Sequence, residues 1–149
     1  MVDIKREAAL REAIEMLYFG YRSFTNGPDR ILEDRGLNRI HHRILYFVGR
    51  SPGRSVNDLL GVLAISKQAL HLPLRQLTEL KLVSNNRAEH DGRVRELRLT
   101  EEGVRLEETL TGQQMEQLEK VFLDVGKAAE SGWRDVMSRL GERSWHRCP

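Results

Sequence analysis

A run of polar side chains follows Ile65, and its spacing suits hydrogen bonding to the donors and acceptors on the edges of base pairs. The side chains are Ser66, Lys67, Gln68, His71, Arg75 and Gln76, with Leu72 among them. Helical spacing places most of them on one face, opposite Leu70, Leu74 and Leu77. Glutamine can bond adenine, arginine can bond guanine, and leucine can contact the methyl group of thymine. The segment predicts a helix that reads bases in a DNA major groove, and an ordinary amphipathic helix is the alternative.

A second set of charged side chains lies in a segment of alternating polarity. These are Arg87, Asp91, Arg93 and Arg95. Two strands are expected over 83–88 and 94–99, with a turn at 91–92. A hairpin tip that carries arginines suits a DNA minor groove, where negative potential is concentrated. Asp91 is expected to hold the Arg93 side chain extended, and a surface ion pair worth under ~1 kcal/mol is the alternative.

Charge is distributed unevenly along the 149 residues. Residues 35–99 contain 12 Lys or Arg and 5 Asp or Glu, a net charge of +7, whereas the remainder carries −5. The positive segment includes Arg54, which we count among the candidate DNA contacts. A positive segment between negative flanks is expected when only the middle of a chain faces phosphate. The alternative is a solvated basic surface.

These candidate residues require a particular order of elements to position them. The sequence predicts a support helix over 55–63, a turn over 64–66, a second helix over 67–81 and a hairpin over 83–99. Ser55-Val56-Asn57-Asp58 resembles a capping box, which marks the start of the first helix. Helix, turn, helix and hairpin in this order is the winged helix-turn-helix plan. We therefore predict a mainly α protein with a small β-hairpin wing.

Pro73 interrupts the pattern of the second helix. An interior proline removes one backbone hydrogen bond and costs ~3 kcal/mol when nothing compensates. One alternative is an unbroken helix over 55–72, followed by a helix that begins at Pro73. That alternative would place Ser66 and Lys67 within the apolar pattern. We therefore expect two helices, with a kink in the second near Pro73.

Longer helices flank the winged segment. Before it, apolar residues at intervals of three and four predict a helix over 3–24. Asn26-Gly27-Pro28-Asp29 is expected to end that helix, and a short helix over 29–35 is expected to follow. Asn38 is then expected to cap a helix that reaches about Arg50.

After the hairpin, Thr100 is expected to cap a long helix that reaches about Ala129. A further amphipathic helix is expected from Trp133 to about Trp145. The terminal helices carry too much apolar surface to remain bare, so we predict that they pair with a second copy of the chain. The domain prediction is one domain over 1–149, comprising a DNA-binding lobe over 37–100 and dimerisation helices over 3–36 and 101–146.

Four short motifs occur in a characteristic order. They are Ile65-Ser66-Lys67-Gln68, Leu77-Thr78-Glu79-Leu80-Lys81-Leu82-Val83, Asp91-Gly92-Arg93 and Leu99-Thr100-Glu101-Glu102-Gly103. With these motifs and this order of elements, the chain resembles the MarR family of bacterial transcription regulators over nearly its whole length. The resemblance implies a homodimer with two winged lobes on a pseudo-palindromic operator. It also implies a small-molecule effector, commonly held between the dimer helices and the lobe.

The resemblance carries over to individual residues. Reader-helix positions are matched by Ser66, Lys67, Gln68, His71 and Arg75, and the acid and arginine of the wing by Asp91 and Arg93. The chain departs from the family at Pro73, where an ordinary apolar helix former is usual, and at Leu72, where a polar or basic residue is frequent. We therefore expect an operator unlike those typical of the family. The expected function is a repressor, and a winged-helix module that binds proteins without specific DNA binding is the alternative.

An aromatic or lipophilic effector is expected near four residues, Tyr18, Tyr21, His41 and Tyr46. No metal and no cofactor is predicted, because His41 and His42 point about 100° apart on a helix and the long helix has no histidine pair four residues apart. Cys148 is the only cysteine, and we interpret it as an incidental exposed residue, not as a redox sensor.

Two further classes of protein are disfavoured by what the sequence lacks. The chain has no Gly-rich phosphate loop and no paired metal-ligand motif, so we predict that it is not an enzyme. No apolar run approaches the ~18 residues of a membrane helix, and the N-terminal residues do not resemble a signal peptide. The expected location is the cytoplasm, with double-stranded DNA and a second copy of the chain as partners and no membrane.

Overall fold

The structure is a computed structural model that describes residues 3–141 of the chain. Within this range, helices account for most of the chain and a three-stranded sheet for a small part of it. The elements in order are α1 (Ile4–Asp34), α2 (Arg39–Arg50), β1 (Arg54–Ser55), α3 (Val56–Leu63), α4 (Lys67–Glu79), β2 (Val83–Arg87), β3 (Arg95–Leu99), α5 (Glu101–Val125) and α6 (Lys127–Leu140). The predicted mainly α fold with a hairpin wing is confirmed.

Side-chain caps start the helices where the sequence predicts them. The Asn38 side chain accepts the Ile40 N–H at 3.1 Å at the start of α2. At the start of α3, Ser55 and Asp58 exchange hydrogen bonds of 3.1 and 3.4 Å, which is the predicted capping box. Thr100 accepts the Gly103 N–H at 3.0 Å and caps α5. These three predicted helix starts are confirmed.

The sheet contains one strand more than the predicted hairpin. Its order is β1-β3-β2, with both pairs antiparallel. The sequence predicts no strand before residue 83, yet Arg54 pairs with Leu97 on one side of β3, and Asn85 pairs with it on the other. Leu97 is completely buried. A two-residue strand such as β1 is too short to show alternation, so the sequence carried no signal for it.

One hydrophobic core joins the winged lobe to α1 and α5. Most of its side chains come from the lobe, which comprises α2, α3, α4 and the sheet, and Leu32 of α1 with Leu106 and Leu110 of α5 complete it. The buried core residues are Leu32, Leu37, Ile44, Leu45, Val48, Leu59, Leu70, Leu74, Leu77, Leu82, Val83, Leu97, Leu106 and Leu110. The core therefore fixes how the lobe sits on α1 and α5.

Helix α1 does not end at residues 26–29, so this part of the prediction is wrong. It continues to Asp34, and the predicted short helix over 29–35 is its last part. Pro28 cannot donate the N–H that would normally bond the carbonyl of Phe24. The side-chain amide of Gln114 on α5 instead donates to the Phe24 carbonyl at 3.5 Å. A tertiary contact thus compensates for the proline, and local sequence signals do not report such a contact.

The boundary between α5 and α6 also differs from the prediction. The sequence predicts a helix to about Ala129 and another from Trp133, whereas the break lies at Gly126. Gly126 has φ 92° and ψ 168°, a backbone conformation essentially restricted to glycine. The predicted end of the last helix, near Trp145, and Cys148 lie outside the described residues.

Helix α5 begins in direct contact with the segment that follows α4. The Thr100 N–H donates to the Leu82 carbonyl at 3.1 Å, and its hydroxyl donates to the Lys81 carbonyl at 2.6 Å. Gly103 lies so close that a Cβ atom there would stand 2.0 Å from the Leu82 oxygen. Only glycine permits this approach, which locks the first turn of α5 to the base of the wing.

Candidate nucleic-acid interface and adjoining cavity

Helix α4 is separate from α3, as the sequence predicts. Ala64 ends α3 in the left-handed region, with φ 54° and ψ 41°. Ser66 then caps α4 by accepting the Ala69 N–H at 3.1 Å. The helix is continuous through Pro73 as far as Glu79. The prediction of two helices is confirmed, and the alternative of one helix over 55–72 is wrong.

The polar face of α4 is open to solvent. Every predicted reader residue on it is exposed, namely Ser66, Lys67, Gln68, His71 and Arg75. Leu72 on the same face is 53% exposed, whereas Leu77 on the opposite face is completely buried. The Arg75 Nε lies 3.6 Å from a carboxylate oxygen of Glu79 in an exposed pair, which is worth under ~1 kcal/mol. That weak pair leaves the Arg75 guanidinium able to exchange Glu79 for another acceptor.

The wing presents the four predicted residues Arg87, Asp91, Arg93 and Arg95 on its exposed surface. The contact of Asp91 differs from the prediction, because its carboxylate accepts the backbone N–H of Arg93 at 3.0 Å and not the guanidinium. A short acidic side chain reaches the backbone two residues ahead in this type of turn. Asp91 therefore shapes the tip, and the described residues show no ion pair between it and Arg93.

Two arginines of the wing stand directly opposite each other. Arg87 of β2 pairs with Arg95 of β3 at the outer end of the hairpin. Their side chains therefore leave the same face of the sheet. The Arg95 guanidinium donates to the Asn85 carbonyl at 3.0 Å, which directs it along β2. Like charges placed directly opposite in an antiparallel pair destabilise a sheet, so this end of the wing is suited to an anionic partner.

Arg54 lies in a different place from the other candidate DNA contacts. Its pairing with Leu97 puts its side chain on the core-facing side of the sheet, where it is only 6% exposed. Its Nε and Nη2 atoms are buried without a hydrogen-bond partner among residues 3–141. A guanidinium in this position does not reach a phosphate, so we remove Arg54 from the candidate interface. The unpredicted strand β1 is the physical reason for the difference.

A cavity of about 430 Å³ lies between α1, α2 and α5. Of the four predicted effector residues, Tyr21 and Tyr46 line it. Tyr18 is 60% exposed and packs edge-on against the Phe19 ring, and His41 is buried outside the cavity lining. The structure therefore brings together two of the four residues and leaves Tyr18 and His41 out. The other aromatic, proline and aliphatic walls are Phe24, Pro28, Phe47, Met115 and Leu118.

The polar groups of the cavity are held by specific contacts. The Arg43 guanidinium donates to the Tyr21 hydroxyl at 2.6 Å. Arg39 forms an ion pair of 2.9 Å with Asp29. A ring nitrogen of His42 lies 3.2 Å from the Thr111 hydroxyl on α5. Burial lowers the pKa of His42, while Asp29 opposes this shift and Arg43 adds to it.

Sequence reasoning missed three polar cavity residues on α2, namely Arg39, His42 and Arg43. Together with Tyr46 they recur at intervals of three and four, so they share one face of the helix. That spacing was a usable signal, because His41 falls on the opposite face. At 100° per residue, His41 points nearly opposite to the mean direction of the four cavity-facing residues on α2.

Neither a metal site nor a membrane helix is found in residues 3–141. No group of three His, Cys, Asp or Glu side chains in that range could hold a metal ion. None of the helices in the same part of the chain is long and apolar enough to cross a membrane. The absence of a metal and of a cofactor stays a prediction.

Comparison with known proteins gives consistent matches. The family model described as "MarR family" matches residues 35–94. The HTH-type transcriptional regulator PetP of Rhodobacter capsulatus is 38% identical over 138 residues, which cover 93% of this chain and 83% of PetP.

Two solved structures illustrate the likeness of the fold. Streptococcus pneumoniae FabT, in complex with DNA, superposes with a TM-score of 0.79 at 15% identity, covering 89% of this chain and 95% of FabT. AbsC, a MarR family transcriptional regulator from Streptomyces coelicolor, gives a TM-score of 0.72 at 20% identity and covers 95% of both chains. At these identities the two structures support the arrangement of helices and wing.

Proposed function

Because this chain belongs to the MarR family of helix-turn-helix transcription regulators, we propose that it is a homodimeric repressor that binds a pseudo-palindromic operator. A small effector in the cavity beside α2 releases it from DNA in this proposal. It acts in the cytoplasm, where its operator lies. The family membership also confirms the prediction that the chain is not an enzyme.

The observation that carries DNA binding is the opposition of Arg87 and Arg95 on the wing, together with the exposed polar face of α4. Two like charges at one cross-strand position cost stability in the free protein. A polyanion offsets that cost, and the phosphates of DNA supply such a charge. A partner protein would need an acidic patch of matching shape at the same place. The positions of these charges therefore favour DNA over a protein partner.

The two parts of the interface have different tasks in this proposal. Helix α4 enters the major groove, where Gln68, His71 and Arg75 face base edges and Lys67 at its N-terminal end contacts phosphate. The wing tip, with Arg93 and Arg95, enters the adjacent minor groove. The similar fold of FabT in its complex with DNA supports this placement.

The exposed apolar faces of the terminal helices support a homodimer. Helix α1 is 31 residues long, so it extends over ~46 Å, and every described residue before Phe24 is exposed. Leu10, Ile14 and Leu17 share one face and are 39%, 67% and 50% exposed. Helix α6 adds Val136 and Leu140, which are 63% and 66% exposed. Large exposed apolar patches mark protein interfaces, and a second copy buries both helices by one two-fold axis.

The cavity supports a small, largely apolar effector. Its volume of about 430 Å³ falls within the range of small-molecule sites, and aromatic rings form much of its wall. The cavity touches α1, which carries part of the proposed dimer surface, α5, which leads into α6, and α2, which belongs to the lobe. A ligand that changes the spacing of these helices changes the separation of the two lobes. That separation must match half-sites ~34 Å apart.

A gel-shift titration tests the function. The full chain is titrated on its own promoter region and on random DNA of equal length, over a series of salt concentrations. We expect tighter binding to the promoter, by 10³-fold or more at moderate salt, in line with specific regulators. Equal binding to both DNAs would overturn the proposal and leave the protein-interaction module as the remaining reading. A steep salt dependence alone reports only phosphate contact.

A further inference from the structure

His41 connects the start of α2 to the recognition helix α4. It is 3% exposed, and both ring nitrogens have partners. The Asn38 backbone N–H donates to Nδ1 at 3.0 Å, which completes the cap of α2. On the other side of the ring, Nε2 lies 2.8 Å from the side-chain oxygen of Gln76 on α4.

These two contacts determine which ring nitrogen of His41 carries the proton and which way the Gln76 amide faces. A backbone N–H can only donate, so Nδ1 must offer its lone pair. In the neutral ring the proton then lies on Nε2, which must donate. Gln76 must therefore turn its oxygen towards His41. No other assignment of the Gln76 amide satisfies both hydrogen bonds.

This pairing, here called the His41 lock, turns the oxygen of Gln76 towards His41 and leaves the NH₂ group as the free end of the amide. That NH₂ group has no hydrogen-bond partner among residues 3–141. Gln76 follows Arg75 on α4 and is partly exposed, at the border of the polar face. The border position lets the residue contact both the lobe interior and whatever lies against the polar face.

We propose that Gln76 is a base-reading residue of α4 whose amide is held by His41 so that its NH₂ end faces the major groove. The inference rests on the proposed DNA binding and adds a residue and its preference. His41 is a positioning residue, because it acts through Gln76 without touching DNA.

The preference follows from the groove chemistry. A free glutamine reads adenine by donating to N7 and accepting from N6, which requires both ends of its amide. The amide of Gln76, with its oxygen held at His41, cannot place both of its ends against one adenine. Its free NH₂ end selects bases that present acceptors, which are guanine with O6 and N7, or thymine with O4. The signature of Gln76 in each half-site is therefore guanine or thymine at one position, and the adenine preference usual for glutamine is absent.

The first test measures binding to a set of operator fragments in which each base pair is replaced in turn. We expect Gln76→Ala to weaken operator binding by about tenfold and to remove the preference at one position per half-site, with binding to random DNA unchanged. Thr78→Ala is the matched control, because the Thr78 hydroxyl bonds only the Leu74 carbonyl of its own helix. It should leave the base preferences intact.

The second test asks whether His41 acts by holding the Gln76 amide or only by filling space in the core. His41→Leu removes both hydrogen bonds and should let the Gln76 amide turn, so the guanine or thymine preference weakens and adenine becomes acceptable. His41→Gln restores an acceptor for the α2 cap and a donor for Gln76, because glutamine is an ordinary residue at this capping position. We expect it to recover the original preference, whereas a packing role would make both variants fail alike.

A third, spectroscopic test needs no DNA. ¹⁵N NMR of the imidazole in the full chain should show His41 protonated at Nε2 and bare at Nδ1. The opposite tautomer would overturn the lock, and so would unchanged base preferences in Gln76→Ala while the wild type still selects its operator. If the wild type selects no operator although the tautomer is as expected, the proposed function is what fails, and the reading role of Gln76 is lost with it.

Discussion

The winged lobe and the terminal helices use similar apolar residues at similar spacing, yet they bury them very differently. In the lobe, Ile44, Leu77 and Leu97 are completely buried. In the terminal helices, Ile14 is 67% exposed and Leu140 is 66% exposed. The comparison shows that the apolar core of the lobe is complete within one chain, whereas the terminal helices lack a covering surface. Stability of the lobe and association of the chain should therefore respond to different substitutions.

The largest effect is expected in the core of the lobe. Leu77→Ala should lower the free energy of unfolding by about 2–5 kcal/mol, because it leaves a cavity among tightly packed side chains. Leu72→Ala on the exposed face of the same helix is the control, and it should change stability by no more than about 0.5 kcal/mol. Urea denaturation measures both. Similar losses for the two leucines would contradict the burial described for α4.

The next effect is expected at the terminal helices. Leu17→Glu should weaken the dimer by about 3 kcal/mol, more than a hundredfold, because it buries a carboxylate without a partner. Glu12→Gln, on the opposite face of α1, should leave association unchanged. Light scattering and sedimentation equilibrium at micromolar concentration measure the mass. A wild-type monomer under these conditions would show that no second copy covers the apolar faces of the terminal helices.

A smaller effect should separate the two parts of the DNA interface. Gln68→Ala and Arg75→Ala should each cost ~1–3 kcal/mol on the operator and alter which operator is preferred, because they remove base contacts. Arg93→Ala should weaken binding over most sequences and reduce the salt dependence. Parallel titrations on operator and random DNA measure the difference. Equal losses on both DNAs for all three variants would contradict this division of tasks.

The smallest effect is expected where the two regions meet, at His42. Burial lowers the pKa of His42 in the folded chain, so between that lowered value and about 6.5 the unfolded chain binds more protons. The contribution of the neutral ring to stability is therefore present at higher pH and is lost as the pH falls through this window.

His42→Gln should flatten the dependence of the free energy of unfolding on pH in the same window. Urea denaturation at a series of pH values on both sides of about 6.5 measures the slope. Thr109→Val on α5 is the control, because its hydroxyl bonds the backbone of its own helix. A slope that survives His42→Gln would assign the proton uptake to another group.

Local signals in the sequence predicted the helix starts well. Asn38, Ser55, Ser66 and Thr100 each cap the helix that follows, because a cap depends on residues within one turn. Local signals failed at Pro28, where the Gln114 side chain replaces the missing hydrogen bond from a distant part of the chain. Contacts between distant segments decide such cases, and propensity does not contain them.

The candidate site shows the same limit. Exposure of the α4 and wing residues agrees with the pattern of polar positions, because periodicity reports which face is buried. The burial of Arg54 depends on a two-residue strand, and the contacts of His41 and His42 depend on which helix faces each side of α2. Periodicity places two neighbouring histidines on different faces, but it does not say what lies opposite either one.

Gly103 has a mechanical consequence. With a Cβ position only 2.0 Å from the Leu82 oxygen, the first turn of α5 bears directly on the backbone between α4 and β2. Backbone meets backbone at this point, so no side chain of residue 103 can absorb a movement there by changing its rotamer. A shift of α5 along its axis therefore moves the base of the wing by a similar distance. Any substitution at Gly103 would push the first turn of α5 away from Leu82 and loosen this contact with the wing.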